Sequence, residues 1–380
     1  MSEHSSARQQ CQLKLKAISE LCQASSNVIE NISSSPSSVS EPDLAKIHAD
    51  FLSILSLIYH IVTKLALALN PTEPTFSAAI SPLDDLVKHI NAITSCASLF
   101  TTTFGLTLRT EVVGLTSDVL QATKGFVENC ALITDGATPP SKLKATHLYL
   151  TGSIHELIDH SRGSDGLSKD NLQAVRKKWA QDRSVLEDGY RELSDLLTPD
   201  GTDNDSFGMD SEDEDGLVLS SAPLTAEETE RVKKVQRYIR VTNLLHERVY
   251  VDLLKPPALK IASSSLNFVS TLDEISRQSS RFVFATDEII SCLHSPQDPK
   301  EISASLQNLG EVTTTSQRLL NQGGFLPKPK EKNLESGMES MKVGASNVDQ
   351  KKAKDIRKWF DTCLDQIDKL QASLSVEFNG

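Results

Sequence analysis

At 380 residues the chain exceeds what one hydrophobic core usually serves. Its apolar content of 38%, with only 5% aromatics, leans on Leu, Ile, Val and Ala, the palette of helix bundles rather than β-sandwiches. A formal charge of −12 disfavours a nucleic-acid backbone or an anionic membrane as principal partner, because either would repel the chain before local contacts formed.

The first thirty residues are polar and interrupted by Glu3, Glu20 and Glu30, where a secretory signal would need an unbroken apolar stretch. The expected location is therefore cytoplasm and nucleus. Six cysteines, Cys11, Cys22, Cys96, Cys130, Cys292 and Cys363, include no close pair of zinc or thioredoxin type. Most fall on the apolar phase of a helical pattern, as small buried residues in a reducing compartment do.

Apolar residues then recur at alternating spacings of three and four, the stripe of an amphipathic α-helix. The second helix carries Leu44, Ile47, Phe51, Ile54, Ile58, Ile61 and Leu65. Its segment 51–69 has the length and hydropathy of a membrane span, but His60, Lys64 and several Ser and Thr make it a buried bundle helix. The third is expected to start at Ser81 as cap, with Pro82 in the first turn and Asp84 and Asp85 at the positive end of the dipole. The fourth has Val112, Leu115, Val119, Ala122, Phe126, Cys130 and Ile133. A fifth spans about 141–160 and a sixth about 168–197, the latter with Leu172, Val175, Trp179, Leu186, Tyr190, Leu193 and Leu197.

Over 198–223 the periodicity stops, and eight acidic residues arrive without a basic one: Asp200, Asp203, Asp205, Asp210, Glu212, Asp213, Glu214 and Asp215. This composition reads as a disordered linker with a coil span of roughly 25 to 30 Å. Helical pattern resumes at a capping box of Thr225 and Glu228, followed by Val232, Val235, Ile239, Thr242, Leu245 and Val249. Another long helix follows Pro257, a third runs over about 299–321, and the last carries Ile356, Phe360, Cys363, Ile367, Leu370 and Leu374. The expected fold is all-α: two bundles of long amphipathic helices, residues 1–197 and 224–380, joined by the acidic linker.

Two segments imitate metal sites. His155 and His160 resemble the histidines of a zinc-protease helix but stand five positions apart, which turns them about 140° from one another. Asp203, Asp205, Gly208 and Glu214 occupy positions of a calcium loop, but Phe207 brings no oxygen to the fifth position and Asp210 replaces the usual apolar anchor. No phosphate-binding loop, nucleophile elbow, paired Glu-x-x-His set or glycine-rich βα turn occurs. The chain is therefore expected to be no enzyme, with no catalytic residues, no metal and no cofactor.

The candidate sites are regulatory. Ser211 precedes Glu212, Asp213 and Glu214, and Thr202 precedes Asp203 and Asp205, the context of acid-directed kinases. Lys233, Arg237 and Arg240 share one helix face opposite Val232, Val235 and Ile239. They form either a solvated bundle face or a docking strip for an acidic partner or the acidic linker itself. Lys328, Lys330 and Lys332 form a weak nuclear signal or an exposed charged loop.

The stretch Gly105, Leu106, Thr107, Leu108, Arg109, then Thr116, Asp118, Val119, Phe126, Val127 and Glu128, resembles the central N-terminal helix of the cyclin-D-binding (cyclin-D-interacting) protein family. Thr63 to Ala68 and Thr151 with Gly152 resemble flanking segments, and the likeness is clearest over about 44–197. The resemblance implies a noncatalytic adaptor that binds a D-type cyclin or a helix-loop-helix transcription regulator and restrains cell-cycle progression. No basic region precedes the stripes, so direct nucleic-acid binding is not expected, and neither is membrane binding. The alternative is a cytoskeletal or scaffold bundle of the vinculin and catenin style. Oligomeric state is left open.

Overall fold

The computed structural model describes residues 2–31, 43–198, 223–255, 268–327 and 347–379. These form ten α-helices, a single 3-10 turn and a π-helical turn, with no strand among the described residues. The acidic segment, including Thr202 and Ser211, and the lysine cluster from Lys328 lie outside them. The chain divides into two compact units, Met1–Ala174 and Val175–Gly380.

The first unit contains α1 (Ser2–Asn31), α2 (Leu44–Ala68), α3 (Phe76–Ser98), α4 (Leu106–Asp135) and α5 (Pro140–Arg162). Helix α1 packs on α3 and α4, α2 on α3 and α5, and α4 on α5. In α1 the buried residues Cys11, Leu15, Ile18, Cys22, Ser25 and Ile29 follow a strict four-three spacing, so an otherwise polar helix contributes a narrow apolar seam. Each fully buried Leu or Ile stabilises the fold by about 1.5 to 3 kcal/mol. In α2, Ile47, Phe51, Leu55, Ile58, Ile61, Val62 and Leu65 are buried, and Phe51 meets Phe100 edge-on at 5.8 Å. It is the one described helix long and apolar enough to cross a membrane, and the residues of its buried face join the bundle core.

Helix α3 begins at Phe76, earlier than Ser81, and Pro82 lies inside it. Ala79 and Phe76 are buried one and two turns ahead of Leu83, and burying them extends the helix past the expected cap. Asp84 then pairs with Lys14 of α1, and Asp85 with Lys88 at 2.9 Å.

Helix α4 is enclosed on two sides. Leu108, Val112, Val119, Phe126, Cys130 and Ile133 form one seam, while Leu120 and Val127 form another. Its start is Gly105 at φ 116°, a conformation suited to glycine; a Cβ there would come within 2.3 Å of the Asn171 side chain. That approach lets the Leu108 N–H donate to Asn171 Oδ1 at 3.0 Å, an N-cap supplied from a distant residue. At the other end Gly136 adopts φ 69°, and the Arg8 guanidinium donates to the carbonyls of Thr134 and Asp135 at 2.6 and 2.7 Å. A cation at a helix C-terminus is the favourable arrangement.

Helix α6 (Asn171–Asp195) starts in the first unit, where Asn171 and Ala174 are buried, but its remaining length from Val175 belongs to the second. There it is accompanied by α7 (Ala226–Arg248), which runs into the π-helical turn Val249–Leu253, and by α8 (Phe268–Cys292), α9 (Pro299–Gln322) and α10 (Asn347–Asn379). Helix α7 packs on α8 and α10, and α9 on α8 and α10. The capping box is present: Thr225 Oγ1 accepts from the Glu228 N–H at 3.2 Å, and the Thr225 N–H donates to Glu228 Oε2 at 2.8 Å. Glu228 Oε1 also accepts from the Gln297 N–H at 3.0 Å, tying the start of α7 to the turn before α9. These backbone hydrogen bonds, from Thr225 first and Gln297 next, hold the carboxyl down to about 2.

Candidate functional site

The second unit contains an open groove between α6 and α7, of about 580 Å³. It exists because the two helices are held together by long side chains. Gln236 Nε2 donates to Ser194 Oγ at 3.0 Å, Asn243 Nδ2 to the Leu186 carbonyl at 3.2 Å, and Arg183 Nη2 pairs with Glu247 at 3.1 Å. As residue numbers rise on α6 they fall on α7, so the helices are antiparallel. Leu186 lies buried beneath the groove, Tyr190 is half-buried along it, and Leu244 lines it at 44% exposure.

Of the strip expected from sequence, Lys233, Arg237 and Arg240 are all exposed. Lys233 is held by Glu230 at 2.7 Å, and that hydrogen bond, with help from the neighbouring cations including Arg237, lowers the Glu230 carboxyl. Only Arg240 among the three lines the groove. The opposite wall brings Arg183 and Arg191, which the sequence reading did not single out. They occupy the polar phase of α6, and nothing in the sequence shows which solvated face meets a recess. Tyr190, expected in the buried stripe, lines the groove instead.

Beneath the groove lies a polar knot. His246 borders both the groove and a small internal cavity of about 10 Å³. Its ring stacks on Trp179 at 4.4 Å, meets Phe282 at 5.7 Å, and its Nε2 lies 2.8 Å from Ser279 Oγ. The Trp179 indole N–H donates to the His246 carbonyl at 2.9 Å. Burial, with Arg183 and Lys178 nearby, pushes His246 down to about 3, so the ring is neutral. This knot draws most of α6 into the second unit, an allegiance that its Leu and Val stripe alone does not show.

In the first unit His147 is the counterpart. Its ring sits 5.5 Å from Phe126, with Nδ1 3.3 Å from Asn129 Oδ1 and Nε2 3.1 Å from the Ala66 carbonyl. Burial lowers its pKa. His155 is engaged with α2, stacked on Tyr59 at 3.9 Å with Nε2 3.1 Å from Thr63 Oγ1, whereas His160 is exposed. Among the described residues no group of three or more His, Cys, Asp or Glu could hold a metal ion. All six thiols are unpaired by disulfides, and burial pushes Cys22 up to about 12 and Cys96 and Cys363 to about 11. Burial that holds these three thiols protonated makes them poor nucleophiles.

The described residues thus form an all-helical architecture with an open groove lined by three arginines. Residues 50–198 match the family model described as Grap2 and cyclin-D-interacting, N-terminal. The matched span runs from within α2 through all of α6, so it includes one wall of the groove. No catalytic family is indicated. A comparison with curated proteins gives no match.

Proposed function

We propose that this chain is a noncatalytic, protein-binding regulator of the cyclin-D-interacting kind, active in cytoplasm and nucleus. The observation that carries the reading is the family-model match over 50–198. Glycine, threonine and phenylalanine positions that first suggested it hold structural roles in α4: Gly105 admits the Asn171 cap, Thr116 is buried with its hydroxyl on the Val112 carbonyl at 2.7 Å, and Phe126 anchors the core. By family, the partner is a D-type cyclin or a Grap2-like adaptor; a helix-loop-helix regulator is the further partner the resemblance implies. In this reading Ser211 and Thr202 are kinase targets whose phosphates deepen an already acidic stretch.

Affinity purification of the tagged full chain, followed by identification of bound proteins, tests the reading. A cyclin or a transcription regulator supports it. Recovery of actin or junction proteins instead favours the scaffold alternative.

A further inference from the structure

The α6–α7 groove has a specific electrical and apolar pattern. In the register set by Ser194 with Gln236, Leu186 with Asn243 and Arg183 with Glu247, Arg191 and Arg240 stand at one level on opposite walls. Leu186 and Leu244 share a level about a turn and a half further along. The far end is self-neutralised, because Arg183 is clamped by Glu187 at 2.7 Å and by Glu247 at 3.1 Å. The near end is not. Among the described residues no carboxylate pairs with Arg240, and Arg191 has only an exposed partner three positions back, Asp188 at 2.9 Å, a contact of little worth in water.

We propose that this groove is a docking site for an acidic amphipathic helix of a partner protein. The helix would lie between α6 and α7, set its leucine-type ridge on Leu186, Leu244 and the Tyr190 ring, and place carboxylates between Arg191 and Arg240. Two parallel walls some three turns long fit a helix in a groove, and Tyr and Arg are the side chains that most often carry such interfaces. A basic segment meets two arginines and is repelled. A small free anion leaves Leu244 uncovered, so the apolar floor selects a peptide. The inference deepens the proposed function by giving the chemistry of a partner.

The test is fluorescence titration of the full chain with a labelled helical peptide of about 16 residues, Leu along one face and Glu elsewhere, and with the same peptide carrying Lys for Glu. The acidic peptide binds in a salt-dependent manner and the basic one does not. Arg240→Glu, on an exposed residue, weakens the acidic peptide on the order of tenfold, and Leu244→Asp does the same. Arg191→Glu with Arg240→Glu exchanges the preference to the basic peptide. Equal binding of both peptides, or affinities unmoved by these substitutions, overturns the proposal. So does tighter peptide binding on deletion of 199–222, which places the chain's own acidic segment in the groove, or a self-association that Arg240→Glu abolishes. A D-type cyclin titrated in parallel separates the two readings: cyclin binding without peptide binding removes the groove and leaves the family function standing, and the reverse removes the family function.

Discussion

Phe126 is fully enclosed at the middle of α4, against His147 on α5. Truncating it to Ala is expected to cost about 3 to 5 kcal/mol, whereas Asp135→Ala, an exposed position whose backbone carbonyl alone is used, is nearly silent. Equal melting temperatures for Phe126→Ala and the parent would contradict the assigned core. The buried histidines give a second expectation at this scale. His246 is held near 3 in the fold against 6.5 when free, and His147 and His155 are also lowered. A lowered histidine contributes stability that is complete above its unfolded pKa and is lost as pH falls below it. The melting temperature should therefore hold steady above pH 7 and decline between pH 7 and 5, where carboxylates do not yet titrate; a flat profile there would show the rings to be solvated. The apolar members of the core were legible in sequence because Phe126, Val119 and Cys130 keep helical spacing. Thr116, Thr123, His147 and His246 were not, since burial of a polar side chain depends on a partner from another helix.

Among the elements, stripes located α2, α4, α6, α7 and the last helix, α1 was given no stripe of its own, and start chemistry placed α7 and α9 within a residue or two. The same chemistry misplaced α3, because proline and acidic residues are tolerated in the second turn when Phe76 and Ala79 have a core to enter. Helix ends also depend on residues remote in sequence. Asn171 caps α4, so Asn171→Ala should cost about 1 kcal/mol, and Thr225→Ala should cost a similar amount at α7. Thermal melts of the two variants check this, and an unchanged Asn171→Ala would mean that water serves the Leu108 N–H equally well. Helix α6 shows the limit of periodicity: its apolar stripe declares that it packs, while Trp179 on His246 and Gly189, where a Cβ would lie 3.0 Å from Ile290, determine what it packs against. The groove was half visible, since Arg240 was marked by its face but Arg191 and Leu244 acquire meaning only once two helices stand side by side.

For the whole molecule, an all-helical chain of this kind should give a far-ultraviolet circular dichroism spectrum with helix over roughly 60% of residues, about twice the share in an ordinary globular protein. A strand-dominated spectrum would overturn the architecture. The central claim is the proposed one, that a chain whose residues 50–198 match the cyclin-D-interacting family model works by binding a protein partner. The most direct measurement is calorimetric titration of the purified full chain with a purified D-type cyclin. Saturable binding with a dissociation constant of about a micromolar or tighter is the expected result, and heats indistinguishable from dilution at concentrations well above that would contradict it.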